Sequence, residues 1–183
     1  METAASPATT LAAALTGAAP PPALITTADH GFLSPAILTH FMAAVADADC
    51  DVSIGFARLS DVSARFPETR RTGWRFADDT YCGCNLFAFR TPAAIRLAQL
   101  WQRFEADRKR PWRIMSALGP WLLLRYLTRR LTLAQGLAEL GRRAQCTIAP
   151  IVLPFPEAAV DVDSIADWEF VNRVWDEVNS SSP

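Results

Sequence analysis

The chain has 183 residues, of which 50% are hydrophobic, and this length and composition suffice for one domain with a buried core. Its formal net charge of −1 excludes the basic balance of a dedicated nucleic-acid-binding protein, so no nucleic-acid partner is expected. No uninterrupted apolar run reaches the roughly 20 residues that cross a bilayer. The alanine-rich start lacks the basic segment of a secretory signal, and the sequence therefore predicts a cytoplasmic protein.

Helical and strand patterns alternate along the chain without an internal repeat. This alternation predicts an α/β layered sandwich with a mainly parallel sheet. We expect residues 1–22 to form an alanine-rich helix and a proline linker, residues 23–178 to form the domain, and residues 179–183 to be a disordered tail. The predicted elements are, in chain order, helix 3–18, strand 23–28, helix 35–46, strand 51–57, an irregular arginine-bearing surface excursion 58–72, strands 74–76 and 81–89, helices 92–107, 121–130 and 132–141, strands 144–149 and 159–162, and a last helix capped by Ser164.

Local signals support several of these boundaries. Ser34 is a good N-cap with Pro35 at the first helical position, and Gly141 is expected to end its helix. Cys82 and Cys84 stand two apart in a strand, so their side chains are expected on one face. The spacing of the four cysteines fits neither a zinc site nor a secreted disulfide framework, and we expect buried thiols.

Acidic side chains follow two of the predicted strands. Asp29 comes directly after strand 23–28, and Asp161 and Asp163 come at the end of strand 159–162. In α/β folds the chemistry lies at the carboxyl ends of the strands. Two converging carboxylates, completed by phosphate oxygens and water, form an oxygen-rich shell that suits Mg²⁺. The alternative is that Asp29 caps a turn and Asp163 belongs to a helix cap.

Three segments carry a family resemblance, namely LITTADHGFLSP, YCGCNLFAF and AAVDVDSIADWEFV. In this order they resemble the MobA-like NTP transferases, nucleotidyltransferases with a Rossmann-related, glycosyltransferase-A-like three-layer sandwich. The first segment looks like the strand that ends in a metal-binding aspartate, a position taken here by Asp29. The third resembles the acidic ending that supplies the other metal ligand, for which Asp163 is the closer match and Asp161 the second.

The second segment resembles the strand that lines the acceptor pocket, which implies acceptor contacts for Gly83 and Asn85. An asparagine at this place otherwise indicates a bulge or an edge. The resemblance implies a Mg²⁺-dependent enzyme that transfers a nucleoside monophosphate from an NTP to a small anionic acceptor, phosphorylated or hydroxyl-bearing, and releases pyrophosphate. His30 could reach a substrate phosphate or metal-bound water, or serve only as a local hydrogen-bond partner.

The sequence departs from the family in one respect. Members begin with a strand and a glycine-rich, lysine-containing loop that holds the nucleotide phosphates. Here Gly17 is the only glycine before Gly31, and no lysine precedes Lys109. We therefore expect an N-terminally truncated domain that lacks this first strand and nucleotide loop. Strand 23–28 would then present an unpaired apolar edge, through which the chain would form a homo-oligomer or aggregate. The alternative function is a non-catalytic remnant that acts as a binding module.

A basic, tryptophan-rich stretch occupies residues 101–131. Lys109 and Arg110 are candidates to pair with an acceptor phosphate. The same stretch would also suit a solvated helix face or contact with a membrane surface, and nucleic acid is the least favoured partner. Its members are Trp101, Arg103, Arg108, Lys109, Arg110, Trp112, Arg113, Trp121, Arg125, Arg129 and Arg130.

Overall fold

The computed structural model describes residues 6–69, 71–106 and 119–180, which form an α/β fold with helices on both sides of one sheet. Two 3₁₀ helices, Pro92–Ala94 and Pro156–Ala159, accompany the helices and strands. The elements are α1 Pro7–Thr16, β1 Ala23–Thr26, α2 Pro35–Asp47, β2 Val52–Arg58, α3 Leu59–Arg65, β3 Trp74–Arg75, β4 Thr80–Phe89, α4 Ile95–Ala106, α5 Pro120–Leu127, α6 Leu133–Ala144, β5 Ile148–Val152 and α7 Ile165–Ser180.

The sheet is mixed, so the prediction of a mainly parallel sheet is wrong. The strand order is β1-β4-β2-β5, with β3 paired to β4. Strands β2 and β5 are parallel, whereas β4 is antiparallel to β1, β2 and β3. The physical reason is that β4, with ten residues the longest strand, inserts between β1 and β2 in the opposite direction. The short connection from Arg75 to Thr80 allows only antiparallel pairing of β3 with β4.

Two apolar cores lie on opposite faces of the sheet. Helices α2, α3 and α7 cover one face, where Phe41, Leu86 and Phe170 are buried. Helices α1, α4 and α6 cover the other face, where Leu15 and Phe89 are buried. The cysteines Cys82 and Cys84 both belong to the α2 face, which confirms their predicted orientation; all four cysteines of the chain are free thiols, Cys50, Cys82, Cys84 and Cys146.

The predicted start of α2 is confirmed. The backbone amide of Ile37 donates to Ser34 Oγ at 3.4 Å, and Pro35 opens the helix. The predicted end of α6 is wrong, because the helix passes through Gly141 and ends at Ala144, with Gln145 left-handed at φ 55°. Glycine is needed at position 141 because a Cβ there would lie 2.5 Å from the carbonyl oxygen of Cys146.

Three further segments differ from the prediction. The excursion expected over 58–72 contains helix α3, which forms because Val62 can be buried against the α2 face. The strand expected over 159–162 is instead a 3₁₀ helix followed by one bridge, in which Asp161 pairs with His30. The predicted strand at 144–149 begins later, at Ile148.

Strand β1 forms one edge of the sheet. In the part of the chain that the structure describes, β4 is its only strand neighbour. Leu24 of β1 is 40% exposed at this edge. Within the same described ranges, no helix has the length and apolar content needed to cross a membrane.

Candidate functional site

The chain segments that carry Asp29 and Asp163 are hydrogen-bonded to each other at one end of the sheet. The backbone amide of Val162 donates to the carbonyl of Asp29 at 2.9 Å, and the amide of Gly31 donates to the carbonyl of Val160 at 3.0 Å. These bonds flank the antiparallel bridge between His30 and Asp161. The structure therefore brings Asp29, Asp161 and Asp163 together, just beyond the carboxyl end of β1.

Gly31 permits this close pairing. A Cβ at this position would lie 3.0 Å from Cγ2 of Val171 and 3.4 Å from the carbonyl oxygen of Val160. Both distances are tight, so a larger residue would push the Asp29 segment away from α7. The glycine that follows the Asp29-His30 pair thus helps to fix the acidic side chains as neighbours.

Asp29 and Asp163 have different surroundings. Asp29 Oδ1 is buried and has no hydrogen-bond partner among the described residues. Asp163 is exposed, and the negative charge of Asp161 raises the pKa of its carboxyl, with smaller contributions from desolvation, Asp29 and Asp167. An unpartnered carboxylate oxygen near further negative charges is an arrangement that a cation would stabilise.

The helix cap next to Asp163 is made by its neighbour. The backbone amide of Asp167 donates to Ser164 Oγ at 3.2 Å, and Ser164 Oγ donates to the Asp167 carboxylate at 2.6 Å. The Asp163 side chain makes no hydrogen bond or ion pair in the described part of the protein. Ser164, and not Asp163, therefore caps this helix, so the alternative interpretation of Asp163 as a helix cap is wrong.

Arg71 binds the third carboxylate of the group. Its guanidinium forms an ion pair with the Asp161 carboxylate and reaches Asp167 Oδ1 at 3.4 Å. The Arg71 side chain is only 10% exposed, and its Nε lacks a partner among the described residues. Asp161 is therefore already neutralised by a cation of the chain itself.

His30 lies between the acidic side chains and strand β4. Burial lowers the pKa of its imidazole, and this effect outweighs the raising influence of nearby backbone groups and of the Asp161 and Asp29 charges. Both ring nitrogens are buried and make no hydrogen bond with the described residues. The ring is accordingly a neutral group at neutral pH, since its ordinary pKa is about 6.5.

Gly83 and Asn85 lie on β4 at the same end of the sheet. Gly83 pairs with Phe56 near the carboxyl end of β2, and a Cβ at Gly83 would meet nothing within 4 Å. Asn85 has φ 49° at an irregularity in the β2–β4 register, so the bulge expected as an alternative is present. Its amide makes no hydrogen bond within the described ranges. Gly83 therefore borders open space.

Two cavities lie elsewhere on the described part of the protein, and neither is lined by the acidic residues, Gly83 or Asn85. A cavity of about 310 Å³ lies at the carboxyl ends of β2 and β5, where Arg58 and Asp61 supply its charged groups. A larger cavity of about 480 Å³ lies between α5 and α6, and Arg142 and Glu139 are among the residues that line it. The first has the location that ligands take in α/β folds.

Two predicted site residues cannot be placed. Lys109 and Arg110 lie outside the described residues. Among the described residues, no group of three or more histidine, cysteine, aspartate or glutamate side chains is arranged to hold a metal ion. Any cation at Asp29 and Asp163 would thus depend on substrate oxygens and water for its remaining ligands.

Sequence reasoning missed the role of Arg71. Its position in a polar, arginine-rich segment indicated only a solvated surface. The available signal was the acidic run at Asp161, Asp163 and Asp167, whose charge requires a nearby cation wherever such side chains are partly buried.

Comparison with known proteins supports the fold. No protein-family model matches the chain, and no curated protein matches it significantly. The chain is similar to a solved structure of a hypothetical transferase from Thermus thermophilus, with 31% sequence identity and a TM-score of 0.68. The similarity covers 79% of this chain and 62% of the other, so this chain spans less than two thirds of that protein's length. The two proteins share their fold over the matched part.

Proposed function

We propose that this chain carries the metal-binding and acceptor-binding part of a nucleotidyltransferase site. The observation that carries the proposal is the backbone pairing of Asp29 with Val162, which brings the chain segments of Asp29 and Asp163 together. The Asp29 charge also contributes to the raised pKa of Asp163. The likeness to a hypothetical transferase supports group transfer in general. We infer the nucleotidyl specificity from the three segments that resemble MobA-like NTP transferases.

The donor set fits Mg²⁺. Oxygen ligands suit this ion, which is held in proteins through one or two carboxylates together with substrate phosphates and water. Asp29 offers a buried oxygen without a partner, and Asp163 offers a carboxylate without an ion pair in the described part of the chain. Asp161 was expected to assist them. Its pairing with Arg71 suits it better to hold the Asp163 segment in place.

The reaction would then divide among the residues as follows. Asp29 and Asp163 would hold Mg²⁺, which when bound supplies neutralisation of the negative charge that develops as pyrophosphate leaves. Gly83 leaves room for the acceptor because a side chain there would fill open space. The free amide of Asn85 would donate to an acceptor oxygen and orient it. His30, neutral and with buried ring nitrogens, would exclude water beside Asp29 and takes no part in proton transfer.

The proposal covers the cation and the acceptor but not the nucleotide. The chain contains no segment that resembles the glycine-rich loop of the family, and the proposal assigns base recognition to none of its residues. Release of pyrophosphate requires a bound nucleotide as well as a bound cation, so it demands more of this chain than cation binding does. An acceptor-binding module without turnover is the second candidate function, and the same experiment separates the two.

Cation binding is measured first, by electron paramagnetic resonance of Mn²⁺ as a stand-in for Mg²⁺. Asp29→Asn and Asp163→Asn should each weaken binding by at least about tenfold, or about 1.4 kcal/mol, because each removes one charged oxygen ligand. Asp49→Asn is the matched control, since Asp49 is an exposed aspartate with no hydrogen bond or ion pair within the described residues. Equal Mn²⁺ affinity in all three variants would remove the basis of the proposal.

Activity is measured second, as Mg²⁺-dependent release of pyrophosphate from each NTP in the presence of sugar phosphates. Release that is lost in Asp29→Asn and Asp163→Asn but kept in Asp49→Asn supports nucleotidyl transfer. Mn²⁺ binding without release from any NTP supports the binding module instead.

A further inference from the structure

Helix α5 exposes an apolar side although its sequence is that of a buried helix. Seven of the eight residues in PWLLLRYL are apolar or aromatic, and none of the eight is buried. Trp121, Leu124 and Leu127 are 70%, 49% and 67% exposed. Because they recur at every third position, they lie on one side of the helix. An exposed apolar surface of this kind marks a site of interaction with another molecule.

The opposite side of α5 anchors it to the protein. The rings of Tyr126 and Phe76 pack at 5.6 Å between centroids in an edge-to-face contact. Arg125 Nη2 donates to Gln135 Oε1 of α6 at 2.6 Å. Helix α6 itself buries Leu133 and Leu137 in the core. The exposed side of α5 is thus presented by a fixed element and is not the product of a helix that hangs free.

The chain segment that contains this side has only basic charged residues, and the neighbouring Asp78 already accepts a hydrogen bond from the backbone amide of Leu133. Residues 119–138 contain three arginines and no acidic residue. Arg129 and Arg130 follow α5 directly, are exposed, and form no ion pair with any described residue. The first acidic residue after them, Glu139, is already paired with Arg142 and Arg143. The surface therefore combines apolar side chains with uncompensated guanidinium groups.

We propose that α5 and the adjoining Arg129 and Arg130 bind the surface of a membrane that contains anionic lipids. Tryptophan prefers the level of the lipid headgroups, leucine side chains enter the acyl boundary, and guanidinium groups pair with lipid phosphates. At 1.5 Å per residue, eight residues give a helix of about 12 Å, which lies in the plane of the interface and does not cross the bilayer.

A second copy of this chain is less well matched to the surface. A second copy would bring its own Arg129 and Arg130 against the same charges, which would repel each other. The membrane proposal is independent of nucleotidyl transfer, because neither α5 nor its arginines belong to the Asp29 and Asp163 site.

The experiment is co-sedimentation of the full chain with vesicles of phosphatidylcholine alone or mixed with phosphatidylserine. Binding should require phosphatidylserine and decline with added salt. The double variant Arg129→Gln/Arg130→Gln should lower the partition coefficient about 30-fold, from about 1 kcal/mol per arginine near an anionic surface. Trp121→Ala should lower it about tenfold or more, through lost apolar burial.

Matched controls lie on the opposite layer of the protein. Trp168→Ala removes a tryptophan that is 60% exposed on α7, and Arg65→Gln/Arg173→Gln removes the same charge from α3 and α7. Both should bind vesicles as the unaltered chain does. Circular dichroism confirms that each variant is folded.

The proposal is overturned if the unaltered chain does not bind phosphatidylserine vesicles, or if the control variants lose binding as strongly as the α5 variants. It is also overturned if the α5 variants leave vesicle binding intact and instead abolish self-association in sedimentation velocity. That last result would assign the surface to a second copy.

Discussion

Arg71 is paired with Asp161 at the acidic end of the sheet, although 90 positions separate the two residues along the chain. Two further hydrogen bonds extend the pairing, because Arg71 Nη1 and Nη2 each donate to the backbone carbonyl of Asp161 at 3.2 Å. Side chain and main chain of Asp161 are thereby held by one guanidinium. Its carboxylate is neutralised, while Asp29 and Asp163 stay available for a cation.

Replacing Arg71 by methionine should therefore destabilise the fold. The variant keeps most of the side-chain volume but leaves Asp161 and Asp167 without their cation, and we expect a loss of about 1–3 kcal/mol in the free energy of unfolding. This is below the usual cost of breaking a fully buried pair because the two carboxylates are 30% and 26% exposed. Urea unfolding near neutral pH measures the loss.

The loss should shrink in acid. Neighbouring negative charges raise the pKa of Asp163, and Arg71 opposes that rise, so the variant should have a still higher pKa at Asp163. A carboxyl with a raised folded-state pKa costs stability above that pKa, and the cost disappears as the pH falls through it. Arg71→Lys is the control, since it retains the charge. A loss independent of pH would mean that Arg71 acts through packing alone.

Asp163→Asn should affect stability and cation binding in opposite directions. Without a divalent cation the variant should equal or slightly exceed the unaltered chain in stability, within about 0.5 kcal/mol, because Asp163 is exposed and its repulsion with Asp161 and Asp29 is screened. The gain should vanish in acid, where the raised-pKa carboxyl is protonated in the folded chain as well.

Thermal unfolding with and without Mg²⁺ tests this prediction. Mg²⁺ should raise the midpoint of the unaltered chain, since binding to the folded state stabilises it, and should not raise that of Asp163→Asn. Asp49→Asn should respond like the unaltered chain. Equal Mg²⁺ responses from Asp163→Asn and Asp49→Asn would contradict a role for Asp163 as a ligand.

The sequence predicts the parts of the site that depend on local signals. Asp29 follows an apolar run, Ser34 caps the next helix, and Ser164 caps the last one, so each position can be inferred from a few neighbouring residues. Arg71 could not be assigned in this way, because its partners are distant in sequence. The pairing of Asp29 with Val162 is likewise long-range, and only the strand-end rule indicates it.

The direction of β4 and the exposure of α5 show a second limit of prediction from the sequence. Alternating burial identifies residues 80–89 as a strand but is the same whichever way the strand runs, so the antiparallel insertion between β1 and β2 was not predicted. The apolar residues of α5 predict a helix correctly, yet the pattern cannot state which other element covers them. The direction of a strand and the element that packs on a helix depend on the whole fold and not on the local pattern.

Leu24→Lys should change the association of the chain through the β1 edge. Among the described strands only β4 pairs with β1, and Leu24 is 40% exposed there. Unpaired apolar edges recruit further strands. We expect the unaltered chain to self-associate. The variant should raise the dissociation constant by at least about tenfold, because one buried leucine contributes roughly 1.5–3 kcal/mol.

Sedimentation equilibrium measures this change. Met42→Lys is the control, because Met42 is 45% exposed but lies on α2, away from the edge. If the unaltered chain is monomeric at every concentration, or if both lysine variants dissociate it equally, β1 is not the contact strand.

Gly141→Ala should destabilise the chain even though alanine favours helices. A Cβ at this position would lie 2.5 Å from the Cys146 carbonyl oxygen and 3.2 Å from Cγ1 of Ile148. The nearer atom belongs to the backbone, so α6 and the start of β5 would have to separate. Overpacking of this kind costs about 1–3 kcal/mol, and alanine recovers roughly 1 kcal/mol through its helix propensity.

The expected net loss is about 1–2 kcal/mol in urea unfolding, since a clash with backbone falls at the upper end of the overpacking range. Gly17→Ala is the matched control: Gly17 has φ −133° at the end of α1, and a Cβ there would meet only the Ala13 carbonyl oxygen at 3.4 Å. That variant should retain full stability or gain slightly, because alanine restricts the unfolded chain. If Gly141→Ala proves as stable as Gly17→Ala, α6 and the start of β5 can separate without a cost in stability. The short distance between Gly141 and the Cys146 carbonyl oxygen would then not require glycine.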